Sequence, residues 1–414
     1  MSVSHRRPGR RRRIPLAWVR LTVCIALAGC ALPGRLPAVP ESATTQAEIP
    51  GILNARFFPE TQVDLLLDET RDAQRRELSD LATHSSTRTM QEANLLAVSG
   101  GGADGAFGAG LLTGWSATGT RPVFKVVTGV STGALTAPFA FLGSDWDKQL
   151  TAIYTQMRSS DIYRTRYLTA AIWNDALADT SPLARLIARY CDRKMLDAIA
   201  AAYQKGRLLF IGTTDIDAGR PVIWNMGAIA ASRRPEAPDL FRKILLASAA
   251  IPAYFPPVLI DVEVNGRRYE EMHVDGGTFT QMFLYPTGVN HATLFHGITP
   301  RPVRVWLIRN GRFHPFWANV SRRTLPIAEE AISSSIQASG MNDIAQIFLT
   351  SERDGVDYNL AYIGPDFTAE AREQFDPAYM RALYDYGYQK AAGHSWAKRP
   401  PWISEWNAPS PVIE

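Results

Sequence analysis

The sequence predicts an α/β fold of three layers, in which a mostly parallel central sheet is flanked by helices. Short apolar runs, such as Leu95–Val98 and Phe124–Val127, are typical of buried strands. Helical segments follow these runs, and strands that alternate with helices favour a parallel sheet covered on both faces. Hydrophobic residues make up 46% of the 414 residues and charged residues 20%, which are ordinary globular values and exclude wholesale disorder and coiled coils.

Each further element has its own local pattern. Ser181 followed by Pro182 matches a helix N-cap with proline at the first position, so helical structure is expected over residues 182–205. Apolar runs predict further strands, and amphipathic or small-residue stretches predict further helices. The strands are Leu208–Gly212, Val222–Trp224 and Val303–Ile308; the helices are Asp68–Asp80, Phe107–Ser116, Thr132–Leu142 and Asp376–Ala392.

The first 30 residues have the layout of an export signal. Residues 1–29 hold seven arginines and no acid, and their apolar run is far shorter than the ~20 residues that cross a bilayer. The ending Leu27-Ala28-Gly29-Cys30 resembles the bacterial lipobox, whose cysteine is lipidated. We therefore predict a lipoprotein signal peptide over 1–29 and lipidation at Cys30, with a plain secretory signal as the alternative. Because Ala31 rather than aspartate follows Cys30, the expected location is the cell envelope, at the outer membrane of a double-membraned bacterium.

The charge distribution excludes nucleic acid as a partner, and the cysteine content excludes an internal disulfide. The net charge of +4 is more than accounted for by the seven arginines of residues 1–29, so no basic surface for nucleic acid is expected. Cys191 is the one cysteine after Cys30, which excludes an internal disulfide in the mature body. Because it falls in the helical stretch over 182–205, Cys191 is expected to be a core or half-buried thiol and not a nucleophile. We expect no cofactor and no metal site.

Composition divides the rest of the chain into four parts. Prolines among small and polar residues predict a lipidated N-terminus and flexible tether over 30–50. A mixed N-terminal extension over 51–90 follows. The alternating strands and helices define a main domain over 91–365, and a C-terminal helix with an irregular tail covers 366–414.

The segment Gly129-Val130-Ser131-Thr132-Gly133 lies between a predicted strand and a predicted helix. A serine on such a sharp turn needs small neighbours, and the helix N-terminus favours developing negative charge near its hydroxyl. Gly129 and Gly133 would then form a nucleophile elbow around Ser131. A simple tight turn is the alternative.

A second glycine-rich loop, Gly100-Gly101-Gly102-Ala103-Asp104-Gly105, also connects a strand to a helix. A phosphate cradle is disfavoured because Asp104 would repel a phosphate and the dinucleotide spacing is absent. Consecutive glycine N–H groups can instead point at one oxyanion, so an oxyanion hole is the preferred interpretation.

Asp275, followed by Gly276 and Gly277, is the candidate base. A free aspartate with a pKa near 3.9 is a poor base, but burial beside the sheet would raise its pKa. An ordinary Asp-Gly turn is the alternative interpretation of these three residues.

Together, the three motifs resemble the patatin-like phospholipase family. The segments 247–257 and 213–219 support the resemblance, which covers about residues 95–365. It implies an acyl ester hydrolase with a Ser/Asp dyad that acts on lipids through an acyl-enzyme intermediate. The implied roles are Ser131 as nucleophile, Asp275 as base, and Gly100, Gly101, Gly102 and Gly105 as the oxyanion loop.

One position departs from the family, which usually has arginine or lysine where this chain has Asp104. A cation there could hold an anionic headgroup. Its absence predicts weaker selectivity for anionic phospholipids than a basic residue would give.

A catalytic histidine is the main mechanistic alternative. His273 shares a strand face with Asp275 two residues later, although a structural histidine is the preferred interpretation. A hydrolase triad with the order Ser, acid, His is also compatible with the chain order. The histidines that follow Asp275 are His291, His296, His314 and His394.

The leading functional hypothesis is a lipid-anchored acyl hydrolase of phospholipase A or lysophospholipase type, with membrane lipids as both substrate and anchoring surface. Phe139, Phe141 and Tyr254–Pro257 are candidates for an acyl pocket, with ordinary core packing as the alternative. The rival hypotheses are a carboxylesterase or thioesterase for small acyl groups, and a non-catalytic lipid-binding lipoprotein.

Overall fold

A computed structural model describes residues 34–84, 90–165, 176, 178–286, 288–289, 301–313, 320–393 and 396–403. Its centre is a mixed sheet with helices on both faces, so the predicted three-layer α/β fold is confirmed. In chain order the strands are β1 (Arg56–Phe57), β2 (Ala93–Val98), β3 (Phe124–Val130), β4 (Arg164–Thr165), β5 (Ala178–Asp179), β6 (Leu208–Asp215), β7 (Arg220–Asn225), β8 (Val258–Val264), β9 (Arg267–Asp275), β10 (Val303–Arg309) and β11 (Asp357–Tyr362).

The parallel part of the sheet contains the strands that the sequence predicts. Strands β6, β3, β2, β10 and β11 lie side by side in that order and run parallel. Because helices cover both faces of these strands, most of their residues are buried, and all eight residues of β6 are. The carboxyl ends of β2 and β3 lie next to each other and place the two glycine-rich loops at one edge of the sheet.

An antiparallel margin, which the sequence analysis did not predict, completes the sheet. Strand β7 pairs with β6 and β1, and the hairpin of β8 and β9 joins the last residues of β6. Asn265 and Gly266 both have positive φ, 50° and 79°, as a two-residue hairpin turn requires. The alternating Val258–Val264 and this Asn-Gly pair were the signals that could have predicted the hairpin.

The helices are α1 (Val63–His84), α2 (Gly105–Ala117), α3 (Thr132–Leu142), α4 (Asp147–Gln156), α5 (Ser159–Ile162), α6 (Ser181–Tyr190), α7 (Arg193–Gln204), α8 (Met226–Ala231), α9 (Ala237–Ser248), α10 (Thr324–Asp354) and α11 (Pro377–Ala392). Leu96 and Val98 of β2 face one layer, which includes α2, α3, α9 and α11. Ala97 between them faces the other layer, which includes α10. These two sides are called the first face and the second face below.

Helix α11 packs closely along α2 because small residues leave room for backbone contact. A Cβ added at Gly110 would collide with the backbone of Tyr384, and one added at Gly387 would collide with the carbonyl of Phe107. The predicted C-terminal helix is therefore confirmed and belongs to the first face. Asp376 caps its start by accepting the N–H of Ala378 at 2.8 Å.

The prediction of a flexible tether is wrong for residues 34–50. This segment contains a short 3-10 helix, Glu41–Gln46, and Glu48 forms a two-way backbone bridge with Glu263 of β8. Ala47 and Ile49 are buried. Apolar contact and backbone pairing outweigh the local proline content, and β1 likewise joins the predicted extension over 51–90 to the sheet.

The helical stretch predicted over 182–205 is two helices. Helix α6 ends at Tyr190, and Asp192 begins α7 by accepting the N–H of Met195 at 2.9 Å. An N-cap aspartate of this kind starts a new helix instead of continuing the old one. Cys191 lies in the break and is buried, as predicted, and burial raises the pKa of its thiol to about 12.

Helix α10, with 31 residues, was not predicted from the sequence. Within the described ranges, no helix combines the length and the apolar character that crossing a membrane requires.

Candidate active site

Ser131 stands on the turn between β3 and α3 in a strained backbone conformation, with φ 55° and ψ −125°. Non-glycine residues avoid this region, and holding one there costs about 1–3 kcal/mol. The predicted elbow glycines are needed for space. A Cβ on Gly129 would press on the backbone of Gly133, and a Cβ on Gly133 would collide with the carbonyl of Val98. The turn therefore presents the Ser131 hydroxyl at the carboxyl-end edge of the sheet.

The structure brings Asp275 to Ser131 across the sheet. Asp275 ends β9, where it lies opposite Thr213 of β6. The Ser131 hydroxyl donates to Oδ2 of Asp275 at 2.6 Å, and the Gly277 N–H donates to Oδ1 at 2.7 Å. The two residues form the hydrogen-bonded pair that the sequence motifs predict.

The environment of Asp275 favours a base that works near neutral pH. Burial raises the pKa of its carboxyl to about 7, against the opposing effect of hydrogen bonds from Ser131 and the Gly277 N–H. A carboxylate at this pKa can take up a serine proton near neutral pH and return it later.

Ser248 holds the turn at Ser131 in place, a role that the sequence did not indicate. The backbone N–H of Ser131 donates to the Ser248 hydroxyl at 3.0 Å, and that hydroxyl donates to the Gly212 carbonyl at 2.7 Å. Ser248 is fully buried at the end of α9. It therefore ties the strained turn to strand β6, and a serine at the end of a predicted helix carried no signal for this role.

The predicted oxyanion loop lies against Ser131. Gly101 and Gly102 have φ values of 154° and 55°, and α2 begins at Gly105. Gly100 lies beside the Cβ of Ser131. In the described part of the chain, the N–H groups of Gly101 and Gly102 have no hydrogen-bond acceptor. They are thus available to an oxyanion formed at Ser131.

An apolar cavity of about 60 Å³ opens beside Ser131 on the first face. Gly102 and Thr132 form its wall next to the serine. Its remaining lining is hydrophobic and includes Phe139, Ile153, Leu183, Ile187, Leu245 and Phe255. Of the predicted acyl-pocket residues, Phe139 and Phe255 lie in this lining, whereas Phe141 is part of the core.

Comparison with known proteins agrees with this geometry. Residues 96–287 match the family model described as patatin-like phospholipase. These residues form a patatin-like phospholipase domain. The match covers β2 to the loop after Asp275 and supports lipid acyl hydrolase activity. No curated protein sequence matches the chain.

Two solved structures resemble a large part of the chain distantly. VipD from Legionella pneumophila has 12% identity and a TM-score of 0.34, with coverage of 74% of this chain and 68% of that one. Human GIVD cytosolic phospholipase A2 has 8% identity and a TM-score of 0.33, with coverage of 84% and 65%. The chain thus spans about two thirds of the length of each.

In this patatin-like phospholipase domain, His273 has a structural role, as the sequence analysis preferred. It is fully buried, and its ring nitrogens contact the Thr213 hydroxyl at 3.0 Å and Oε2 of Glu271 at 3.2 Å. Glu271 also pairs with Arg56. Burial alone would raise the pKa of Glu271, but Arg56 and His273 lower it to about 2. The histidine thus belongs to a buried cluster with Glu271 of the same strand, β9, and Arg56.

Asp104, the departure from the family pattern, is turned toward the C-terminal helix. Its Oδ1 accepts the Tyr379 hydroxyl at 2.6 Å. Burial raises the pKa of Asp104, while the Tyr379 hydrogen bond and the charges of Arg312 and Arg309 act in the opposite direction. The side chain therefore helps to fix the start of α2 on α11.

The two central glycines of the oxyanion loop allow a matched comparison. Gly101→Ala should abolish activity and lower thermal stability, because its Cβ would collide with the carbonyl of Asn310. Gly102→Ala has open space around the new Cβ and should cost only about 1 kcal/mol for its positive φ. Thermal unfolding and ester hydrolysis of both variants test this. Equal loss of stability in the two would contradict the described loop conformation.

Several predictions fall outside the described residues. These are the signal peptide over 1–29, the lipidation site Cys30 and the histidines His291, His296, His314 and His394.

Proposed function

We propose that the protein hydrolyses fatty-acyl esters of lipids, in the manner of a phospholipase A or lysophospholipase. The observation that carries this proposal is the 2.6 Å hydrogen bond from Ser131 to Asp275 at the mouth of an apolar cavity. The nucleophile, the base and space for an acyl chain therefore occur in one place.

The first half of the reaction acylates Ser131. Asp275 accepts the hydroxyl proton while the serine oxygen attacks the ester carbonyl carbon. The N–H groups of Gly101 and Gly102 stabilise the oxyanion, and losing one such donor typically costs about 2.7–4 kcal/mol in the barrier. The intermediate collapses, the ester C–O bond breaks, and Asp275 gives its proton to the departing alkoxide.

The second half releases the acyl group as a carboxylic acid. Water attacks the acyl-enzyme carbonyl and gives a proton to Asp275, and the bond to Ser131 then breaks. The same proton returns to the serine oxygen, so the enzyme ends unchanged.

Placement at a membrane is part of the proposal. A lipid at Cys30 would hold the site at its substrate surface, and an N-terminal peptide without added lipid mass would contradict this. The position of Asp104 supports weak selectivity for anionic headgroups, because no cation occupies that place in the loop.

The test is hydrolysis of short and long p-nitrophenyl esters and of phospholipid vesicles by the full chain in detergent. Ser131→Ala and Asp275→Ala should each lower turnover by at least about 10²- to 10⁴-fold. Ser144→Ala and Asp145→Ala, at exposed positions after α3, serve as matched controls.

Each rival function has its own outcome in this test. Turnover restricted to short acyl chains would favour a carboxylesterase or thioesterase. Lipid binding by the parent protein without turnover of any ester would favour the non-catalytic lipoprotein. Turnover that survives Asp275→Ala would refute the dyad.

A further inference from the structure

Gln281 lies at the reaction centre without belonging to the dyad or to the oxyanion loop. The residue is only 3% exposed, on the segment that follows the short helix Gly276–Thr278. A Cβ built on Gly100 would collide with its Oε1 and lie 3.1 Å from Cβ of Ser131. A Cβ built on Gly277 would collide with its Nε2 and lie 3.0 Å from Oδ1 of Asp275. The carboxamide therefore lies between the loop of the nucleophile and the loop of the base.

Gln281 is buried as a whole, yet among the residues that the structure describes its carboxamide is not one of the unpartnered side-chain groups closed off from solvent. Neither end of the Gln281 side chain makes a hydrogen bond there. Buried polar side chains nearly always have a hydrogen-bond partner, whether protein or water. A carboxamide that keeps access to solvent beside Ser131 and Asp275 can take a water molecule as its partner.

The backbone of Gln281 is fixed from two directions. Its N–H and that of Met282 donate to Oδ2 of Asp343 on α10, at 2.6 and 3.1 Å. Its carbonyl accepts the Gly100 N–H at 3.4 Å. The side chain therefore projects from an anchored segment, as a group with a defined position must.

We propose that Gln281 positions the water that hydrolyses the acyl-enzyme, an inference that rests on the proposed function. Once Ser131 is acylated, it no longer donates to Asp275, and the freed carboxylate oxygen can accept one hydrogen of a water molecule. The Gln281 carbonyl oxygen accepts the other hydrogen, which turns a water lone pair toward the acyl carbon. A neutral amide suits this role because it orients water without removing its proton.

Asp275 carries the proton that is transferred in this step. The water oxygen bonds to the acyl carbon, and its first proton moves to Asp275. Collapse of the tetrahedral intermediate breaks the bond between the acyl carbon and the serine oxygen, and that oxygen recovers the proton. Gln281 gains and loses hydrogen bonds only.

An amide in this place has one competing role, as an additional oxyanion donor. That role would assist both tetrahedral intermediates, so its loss would slow acylation and deacylation alike. Water positioning acts on deacylation alone. The two half-reactions therefore discriminate between the roles.

The experiment measures both half-reactions of Gln281→Leu in the full chain, by the burst and steady-state release of p-nitrophenol. The burst rate constant should stay within about threefold of the parent, and steady-state turnover should fall about 10- to 100-fold. The intact mass of the variant should show accumulated acyl-enzyme. Gln204→Leu, at an exposed glutamine that ends α7, is the matched control and should behave as the parent.

Three outcomes overturn the inference. Unchanged deacylation in Gln281→Leu refutes it, and an equal fall in both rates assigns the residue to the oxyanion hole or to structure. The thermal midpoint of each variant separates an unfolded protein from a slowed one, and Gln281→Asn replaces Gln281→Leu if the latter does not fold. A parent that neither turns over nor reacts covalently at Ser131 with a fluorophosphonate refutes the proposed function itself.

Discussion

Replacing Asp275 with asparagine is expected to abolish ester hydrolysis and, at the same time, to stabilise the folded protein above pH 7. Asparagine keeps the size of the side chain and can still accept the Gly277 N–H, but it cannot take the proton of Ser131. Loss of a general base typically lowers turnover by about 10²- to 10⁴-fold. The activity of the parent should rise with pH around an apparent pKa of about 7, as the carboxyl ionises.

The gain in stability follows from the direction of the same pKa shift. Asp275 has a pKa of about 7 when folded and near 3.9 when unfolded, because burial disfavours its charge. Between these values the folded chain binds the proton more tightly, so this group makes folding less favourable as pH rises from about 4 to about 7. Each pKa unit corresponds to about 1.4 kcal/mol, which gives a difference on the order of a few kcal/mol above pH 7.

Urea unfolding of parent and Asp275→Asn at pH 4 and pH 8 measures this difference. The two proteins should differ little at pH 4, and the variant should be the more stable at pH 8. Ser131→Ala is the matched control, since it also removes activity but leaves the buried carboxyl in place. An Asp275→Asn variant that is no more stable than the parent at pH 8 would show that the carboxyl is not desolvated in the folded state.

The parts of the site that were predictable from sequence are those fixed by local backbone chemistry. Ser131, Asp275 and the glycines of the two loops belong to turns whose geometry only certain residues allow, so each motif carries its own signal. Strands β2, β3 and β6 were likewise found, because short apolar runs in a parallel sheet are local patterns.

The parts that were missed depend on distant contacts. Ser248 reaches Ser131 across 117 positions of sequence, and Gln281 approaches Gly100 on a segment whose backbone bonds to Asp343 of α10. The packing of residues 34–50 against β8 is also invisible locally, since its prolines are typical of a tether. The break at Cys191 is different, because the N-cap preference of Asp192 was a local signal that was not used.

Filling the apolar cavity is expected to change which ester the enzyme prefers. Ile187 of α6 is 5% exposed and lines the cavity beside Ser131. Ile187→Trp adds bulk there, so a long acyl chain should lose its place while a short one still reaches the serine. Burial of one methylene is worth about 0.8 kcal/mol, so excluding four of them should cost about 3 kcal/mol, or roughly 100-fold in the ratio of long-chain to short-chain kcat/KM.

Ala188→Trp provides the control, because Ala188 is the next residue of the same helix and is exposed. The tryptophan added at this position lies in solvent, so the ratio of long-chain to short-chain kcat/KM should stay unchanged. Both variants need kcat/KM for p-nitrophenyl butyrate and dodecanoate, together with a thermal midpoint to show that they are folded. Butyrate turnover should stay within about threefold of the parent in both, because its chain is too short to reach the blocked part.

The result also decides between two possible places for the acyl chain. The second face carries a larger cavity of about 460 Å³, lined by Val222, Phe283 and Ile347. Val130 and Gly276, the chain neighbours of Ser131 and Asp275, border it. An unchanged ratio in a folded Ile187→Trp variant would direct attention there. If the ratio of long-chain to short-chain kcat/KM falls only in Ile187→Trp, the acyl chain lies on the first face. Ser131 and Thr132 form one wall of the narrower cavity there.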